Sequence, residues 1–237
     1  MAVVTVIATA IIGPPMILIA MLTSSGEWTF RLMRRWARTV AWSMRLTFSL
    51  HGAENIVPGV SYIITPNHQS NSDILALLQV MPVRFRWVVK QELLKIPLFG
   101  GALAATGAIA IDRSNRGSAV KSLQTGAQRL KDGWSVLIYP EGTRTRDGNL
   151  QAFKKGAFMT AVQTGMPILP VTCNGAFRIM PKSTLLFRPG HITVTIGDPI
   201  PTEGLTEEDV PALIERTRDA VAKNLDATYN PFGERGR

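Results

Sequence analysis

The sequence predicts an α/β fold, with a mostly parallel or mixed central sheet flanked by helices and an N-terminal two-helix membrane-binding motif in front of it. Three observations carry this. From residue 47 onward, short runs rich in β-branched and aromatic residues alternate with helical patterns, as crossovers between strands of one sheet require. The polar motifs fall just after strand candidates, where open α/β sheets bind ligands. The first 22 residues are almost wholly apolar. The chain of 237 residues accommodates a two-helix unit over 1–50 and an α/β domain over 51–237.

In the N-terminal unit, residues 2–22 are interrupted only by Thr5, Thr9, Gly13, Pro14 and Pro15. About twenty apolar residues suffice to cross a hydrocarbon core of about 30 Å. The two prolines each remove a helix hydrogen bond, which favours a kinked or re-entrant membrane segment over one straight span. After a turn cluster at 23–27, Arg31, Arg34, Arg35, Arg38 and Arg45 recur at helical spacing. Met33, Trp36, Ala37, Val40, Met44 and Phe48 populate another face. Such a basic amphipathic helix reads as one lying on anionic membrane lipid. The alternative is a helix packed on the domain with a solvated arginine face. Arginines flanking an apolar segment also favour the cytoplasmic face of the cell membrane.

Strands are expected at 47–50, 60–65, 85–89, 108–111, 135–139, 168–173 and 191–196. Helices are expected at 73–80, 97–106, 118–131, 156–164 and 207–227, with Asp132-Gly133 and Gly165-Met166-Pro167 as stop signals. A net charge of +9 points to an anionic partner. The single cysteine, Cys173, rules out an internal disulfide and lies inside an apolar strand, as core. No zinc-ligand spacing and no glycine-rich nucleotide fingerprint occurs, so neither a metal nor a cofactor is expected.

The chemistry centres on Asn67-His68-Gln69-Ser70-Asn71-Ser72-Asp73, between a strand and a helix. Pro66 stops the strand, and Ser70 with Asp73 three residues on has the spacing of a capping box. One reading makes Asp73 a cap and His68 a loop residue. The other makes His68 a general base whose tautomer Asp73 fixes, leaving the second ring nitrogen to accept a proton. No Gly-x-Ser-x-Gly elbow supplies a serine nucleophile, so the proton would come from a hydroxyl on the substrate.

Glu141-Gly142-Thr143-Arg144 follows the fifth strand and combines a backbone open to close approach with a guanidinium suited to phosphate. The basic tract continues through Arg146, Lys154 and Lys155 to a helix start at Gly156. Lys90 and Arg113, after the third and fourth strands, add positive charge to the same rim. Asp147-Gly148 reads as a turn, and His51 and His191 as structural residues beside strand starts.

These residues resemble the glycerolipid acyltransferase family, specifically the 1-acylglycerol-3-phosphate acyltransferases. Asn67, His68 and Asp73 match its Asn-His-x-x-x-x-Asp block, with Ser70 in its usual place. Gly107, Ile111, Asp112 and Arg113 match a second block. The run from Pro140 to Arg144, with Phe153, Lys154 and Gly156, matches a third, and the proline-centred strand 168–171 a fourth. Lys90, Glu92, Leu93, Pro97 and Gly100 match the signature between the first two. Ala110 departs from the pattern, where bulkier aromatic residues are common.

The resemblance, over about 52–197, implies acyl transfer from acyl-CoA or acyl-carrier protein to the sn-2 hydroxyl of lysophosphatidic acid. It implies His68 as base, Asp73 as its orienting partner, and Arg144 with Glu141, Gly142 and Thr143 at the phosphate, with Arg113, Lys90 and Lys154 as further contacts. Another lysolipid or glycerol-3-phosphate as acceptor, and a non-catalytic membrane-surface binder, are the alternative readings. Nucleic acid is not expected as a partner, because no nucleic-acid motif accompanies the charge.

Overall fold

The computed structural model describes residues 2–23, 26–112, 122–123, 125–127, 133–182, 184 and 187–226. Seven strands form one sheet in the order β1-β7-β6-β2-β5-β3-β4. They are β1 (Leu46–His51), β2 (Ile63–Pro66), β3 (Phe85–Lys90), β4 (Ile109–Ile111), β5 (Ser135–Leu137), β6 (Ile168–Asn174) and β7 (Gly190–Ile196). Five strands, β2 to β6, run parallel. β7 turns back antiparallel to β6 and takes β1 as its parallel neighbour. The sheet is therefore mixed, and β2, β5 and β6 lie side by side in its middle.

Side chains alternate between the two faces of each strand, and this alternation divides the interior in two. Ile64, Leu137, Leu169, Val171 and Cys173 face one core, with Phe85 and Trp87. Ile63, Val136 and Ile168, their sequence neighbours, face the other. Helices α1 (Ala2–Leu22), α2 (Glu27–Ser43), α3 (Ser72–Val80), α4 (Phe99–Ala105) and α6 (Ala176–Ile179) belong to the first side. Helices α5 (Gly156–Thr164) and α7 (Val210–Lys223) cover the second. Each central strand is covered on both faces, which explains why β2, β5 and β6 read as continuous apolar runs. The expected helix over 118–131 lies largely outside the described residues. The expected helix over 207–227 begins as a 3-10 turn at Glu207–Asp209, closed by a capping box between Thr206 and Asp209.

The N-terminal pair differs from its sequence reading in one respect. Helix α1 continues through Pro14 and Pro15, and its apolar side chains are largely exposed: Val3, Val6, Ile11, Met21 and Leu22 each keep more than 65% of their surface. Helix α2 instead turns Phe30, Met33, Ala37 and Val40 into the core, against the sheet and α3. The apolar stripe expected to meet lipid is thus buried in protein, because a stripe of that width matches a sheet face as readily as a membrane. Arg34 donates to the Gln79 carbonyl at the end of α3 (2.8 Å), while Arg31, Arg35 and Arg38 stay exposed. Trp36 Nε1 donates to Thr9 Oγ1 across the hairpin (3.1 Å), and Glu27 pairs with Arg84 at the start of β3. β1 belongs to the central sheet, so residues 27–51 are part of the same fold as the α/β domain.

Candidate active site

β2 and β5 are adjacent and parallel, so the loops that leave their carboxyl ends meet on one rim. The first carries 67–71 into α3, and the second carries Tyr139-Pro140-Glu141-Gly142-Thr143-Arg144. Asn67 fastens the first loop to β6: its Nδ2 donates to the Cys173 carbonyl (3.0 Å), and the Cys173 N–H donates to its Oδ1 (2.7 Å). Ser70 ties the loop to α6, donating to the Met180 carbonyl (2.8 Å).

Asp73 is fully buried. Its Oδ2 accepts from the Gln69 N–H (2.8 Å), the Ser70 N–H (2.8 Å) and His68 Nδ1 (2.9 Å). A carboxylate can only accept here, so Nδ1 carries the imidazole proton and Nε2 is left with its lone pair. Ser70 keeps part of the expected capping role, since its Oγ accepts the Ser72 N–H (3.1 Å) while Asp73 accepts its own N–H. The helix begins at Ser72, two residues beyond Ser70. The cap and the dyad are therefore one device: the carboxylate that holds the helix start also holds the histidine.

A second buried carboxylate supports the same loop from behind. Glu141 Oε1 accepts the His68 backbone N–H (2.6 Å), and Oε2 accepts the Gln151 N–H (3.1 Å) and Nε2 (2.9 Å). Thr145 N–H donates to the His68 carbonyl (2.9 Å), so both backbone groups of the histidine are held by the loop after β5. Burial pushes the Glu141 carboxyl up to about 7, against the N–H groups that favour its charged form.

His68 opens onto a cavity of about 420 Å3, within the usual size of ligand pockets. Lys90, Gly142, Thr143 and Arg144 line its mouth, and Asn71 lies beside them. The inner walls are mainly apolar and come from α1, α2, α3 and α4, with Ile12, Met16, Met33, Ile74 and Leu78 among them. Gly142 has φ 73°, a backbone conformation that favours glycine, whereas the Lys154 Nζ that a Cβ would approach at 2.8 Å is the end of a flexible side chain able to move aside. Lys154, Lys155 and Arg146 are exposed outside the cavity lining, and Lys90 pairs with Glu92 (3.0 Å). Arg113 lies outside the described residues.

Several contributors carry no motif of their own. Gln151 bridges Glu141 and the Thr143 carbonyl (2.9 Å). Lys182, from the segment after α6, donates to Thr143 Oγ1 (2.8 Å) and the Arg144 carbonyl (3.2 Å), bringing another cation to the rim. Tyr139 stacks on the His68 ring. Lys182 reaches its partners across 38–39 residues, a separation that local spacing does not register. Among the other expectations, Cys173 is buried core, and His191 bonds across strands to Thr47 and Ser49. Asp147 is the centre of a turn, accepting from Thr145 and Asn149.

Replacing Glu141 by glutamine tests the support from behind. An amide must turn an NH2 towards donors, so the His68 loop loses part of its anchorage and turnover falls while the fold persists. The carboxyl is raised in the folded state, so its contribution to stability is fully present below about 4.5 and lost as pH rises through about 7. Denaturant melts at pH 5 and pH 8 are expected to show wild type less stable at the higher pH, and Glu141→Gln with that difference diminished.

Comparison with known proteins agrees with this arrangement. The Acyltransferase family model matches residues 47–174, more than half of the chain. Human 1-acyl-sn-glycerol-3-phosphate acyltransferase alpha is 38% identical over 173 residues, covering 73% of this chain and 61% of that protein. The 1-acyl-sn-glycerol-3-phosphate acyltransferase of Limnanthes douglasii is 32% identical over 199 residues, covering 84% and 70%. The chain thus spans about three fifths of the length of the mammalian alpha relatives it matches. The crystal structure of the 1-acyl-sn-glycerophosphate (LPA) acyltransferase PlsC from Thermotoga maritima superposes with a TM-score of 0.71 at 27% identity, covering 92% of this chain and 94% of that one. The matched region holds the His68–Asp73 pair and the Glu141–Arg144 loop together on one rim, and the chain belongs to the acyltransferase family.

Proposed function

We propose that this protein acylates the sn-2 hydroxyl of lysophosphatidic acid to give phosphatidic acid, with acyl-CoA or acyl-carrier protein as donor. The observation that carries the reading is the position of the His68–Asp73 dyad, at the mouth of an apolar cavity and beside Arg144. His68 Nε2 takes the proton of the acceptor hydroxyl as its oxygen attacks the thioester carbonyl. The tetrahedral intermediate then collapses, the carbon–sulfur bond breaks, and the proton passes from the imidazolium to the leaving thiolate. Asp73 stabilises the imidazolium between these steps. Arg144 and Lys90, with Gly142 and Thr143, meet the acceptor phosphate at the rim, and Lys182 supports that loop.

The apolar walls suit a fatty acyl chain. The exposed apolar side of α1 suits the same environment: residues Val3–Leu22 have a mean hydropathy of 2.3 and are long enough to enter a bilayer. In this reading α1 seats the enzyme in the cell membrane on its cytoplasmic face. The exposed arginines of α2 lie against anionic lipid, and the cavity opens where acceptor and product reside.

Three outcomes test the proposal. His68→Ala is expected to lose acyl transfer by at least about a hundredfold in an assay of purified enzyme with thioester and lysophosphatidic acid, while membrane binding is retained. Arg144→Ala is expected to raise the acceptor KM with a smaller effect on the donor KM; an unchanged acceptor KM and kcat removes Arg144 from the phosphate site. Gly13 borders the cavity, and a Cβ there meets Leu98 and Ala102 at 3.5 and 3.6 Å, so a small side chain is accommodated and a large one intrudes. Gly13→Leu should shift preference towards shorter acyl thioesters by roughly tenfold in relative kcat/KM.

A further inference from the structure

One nitrogen of the His68 ring is held by Asp73, and a single hydrogen bond still tolerates some rotation of the ring about its Cβ–Cγ bond. The direction of the Nε2 lone pair therefore needs a second constraint. The structure supplies one from the residue two positions before Glu141. The Tyr139 ring lies under the imidazole with its centroid 3.7 Å away and the two planes 14° apart. Trp87 lies near Tyr139, with 6.3 Å between ring centroids and the planes 21° apart, and is itself buried. His68, Tyr139 and Trp87 all line the cavity.

The Tyr139 hydroxyl has no part in this support. Its oxygen is buried without a hydrogen-bond partner among the described residues. Burial, with the nearby charge of Asp73, pushes its acidity far below that of an ordinary tyrosine, so it stays a neutral phenol. A buried unpartnered hydroxyl is unfavourable, whereas the ring beneath it is placed flat against the one group that changes charge in the proposed reaction. An aromatic face attracts a cation. The ring therefore holds the plane of the imidazole and presents its face to the charge that the imidazole acquires in the proposed reaction.

We propose that Tyr139 is a positioning residue for His68: its ring, and not its hydroxyl, fixes the plane of the imidazole and supports the charge it acquires on taking the substrate proton. This rests on the reading of His68 as the base, and it assigns the residue before Pro140 a part in the chemistry.

The test compares Tyr139→Phe, Tyr139→Leu and Tyr139→Met with wild type and His68→Ala, each assayed over a range of pH. The phenylalanine variant keeps the ring and is expected to retain kcat within about twofold, with an unmoved pH profile. The aliphatic variants are expected to lose kcat by about tenfold or more through misdirection of the base, with the acceptor KM little changed. Losing the aromatic face presented to the protonated ring moves the acidic limb of their pH–rate profile to lower pH, by about half a unit. A residue that only filled space would lower the melting temperature and leave that limb in place. Circular dichroism selects the aliphatic variants that fold. If neither folds, the phenylalanine variant decides, because a tenfold loss on removing the hydroxyl alone overturns the role of the ring and an unchanged kcat sustains it. Aliphatic variants whose profile superimposes on wild type, with His68→Ala inactive, also overturn the proposal. Full turnover by His68→Ala would instead remove the reading of His68 as base.

Discussion

The site depends on a buried negative charge. Asp73 is sealed from solvent at the start of α3, and a carboxylate in that position requires donors, which here converge on Oδ2 while Oδ1 has no hydrogen-bond partner among the described residues. Two backbone N–H groups of the preceding loop supply donors, and the imidazole of His68 supplies the third. The loop 67–71 is therefore folded around its own carboxylate, with the helix terminus adding favourable potential. Asn67 and Ser70 extend the constraint by bonding the loop to β6 and to the end of α6. The result is a histidine whose proton sits on Nδ1 and whose other nitrogen belongs to the cavity.

A second carboxylate completes the frame from a different strand. Glu141 stands in a tract of basic residues, yet among the described residues it contacts none of their side chains through a hydrogen bond or ion pair. It accepts instead from the His68 backbone and from Gln151. In the proposed function its effect on the anionic substrate would be indirect, through the position of the histidine loop and of the Thr143–Arg144 segment that Gln151 also holds. Within one short motif, glutamate, glycine and arginine thus have different surroundings: Glu141 is buried behind the loop, Gly142 lets Lys154 pass close, and Arg144 faces the cavity. The two carboxylates act at opposite ends of one residue, one on its ring and one on its main chain.

The N-terminal hairpin joins this site to its surroundings. Helix α2 is a core element, and α1 packs against α2 and α4 while exposing most of its apolar surface. Because both helices also wall the cavity, the interior of the pocket and the apolar exterior are two sides of the same thin layer. The residues that would set chain length and those that would meet lipid then alternate along a single helix, Gly13 and Met16 inward and Ile11 and Leu18 outward.

Local order in the chain determined much of this. The seven strands, the short helices at 73–80 and 156–164 and the clustering of polar motifs at strand ends arise from side-chain periodicity and from turn residues. Both act over a few positions and are legible without the fold. The pairing of His68 with Asp73 was legible for the same reason, since five residues and a helix start bring them together. Other features were decided only by tertiary structure. The apolar face of α2 has the same pattern whether lipid or a sheet covers it, and only packing chose the sheet. The bond of Glu141 to the His68 backbone, the approach of Lys182 and the stack of Tyr139 on His68 join segments 38 to 73 residues apart. Contacts at that separation are set by strand order and register, β2 beside β5 and β6, and the spacing of residues along the chain does not encode them.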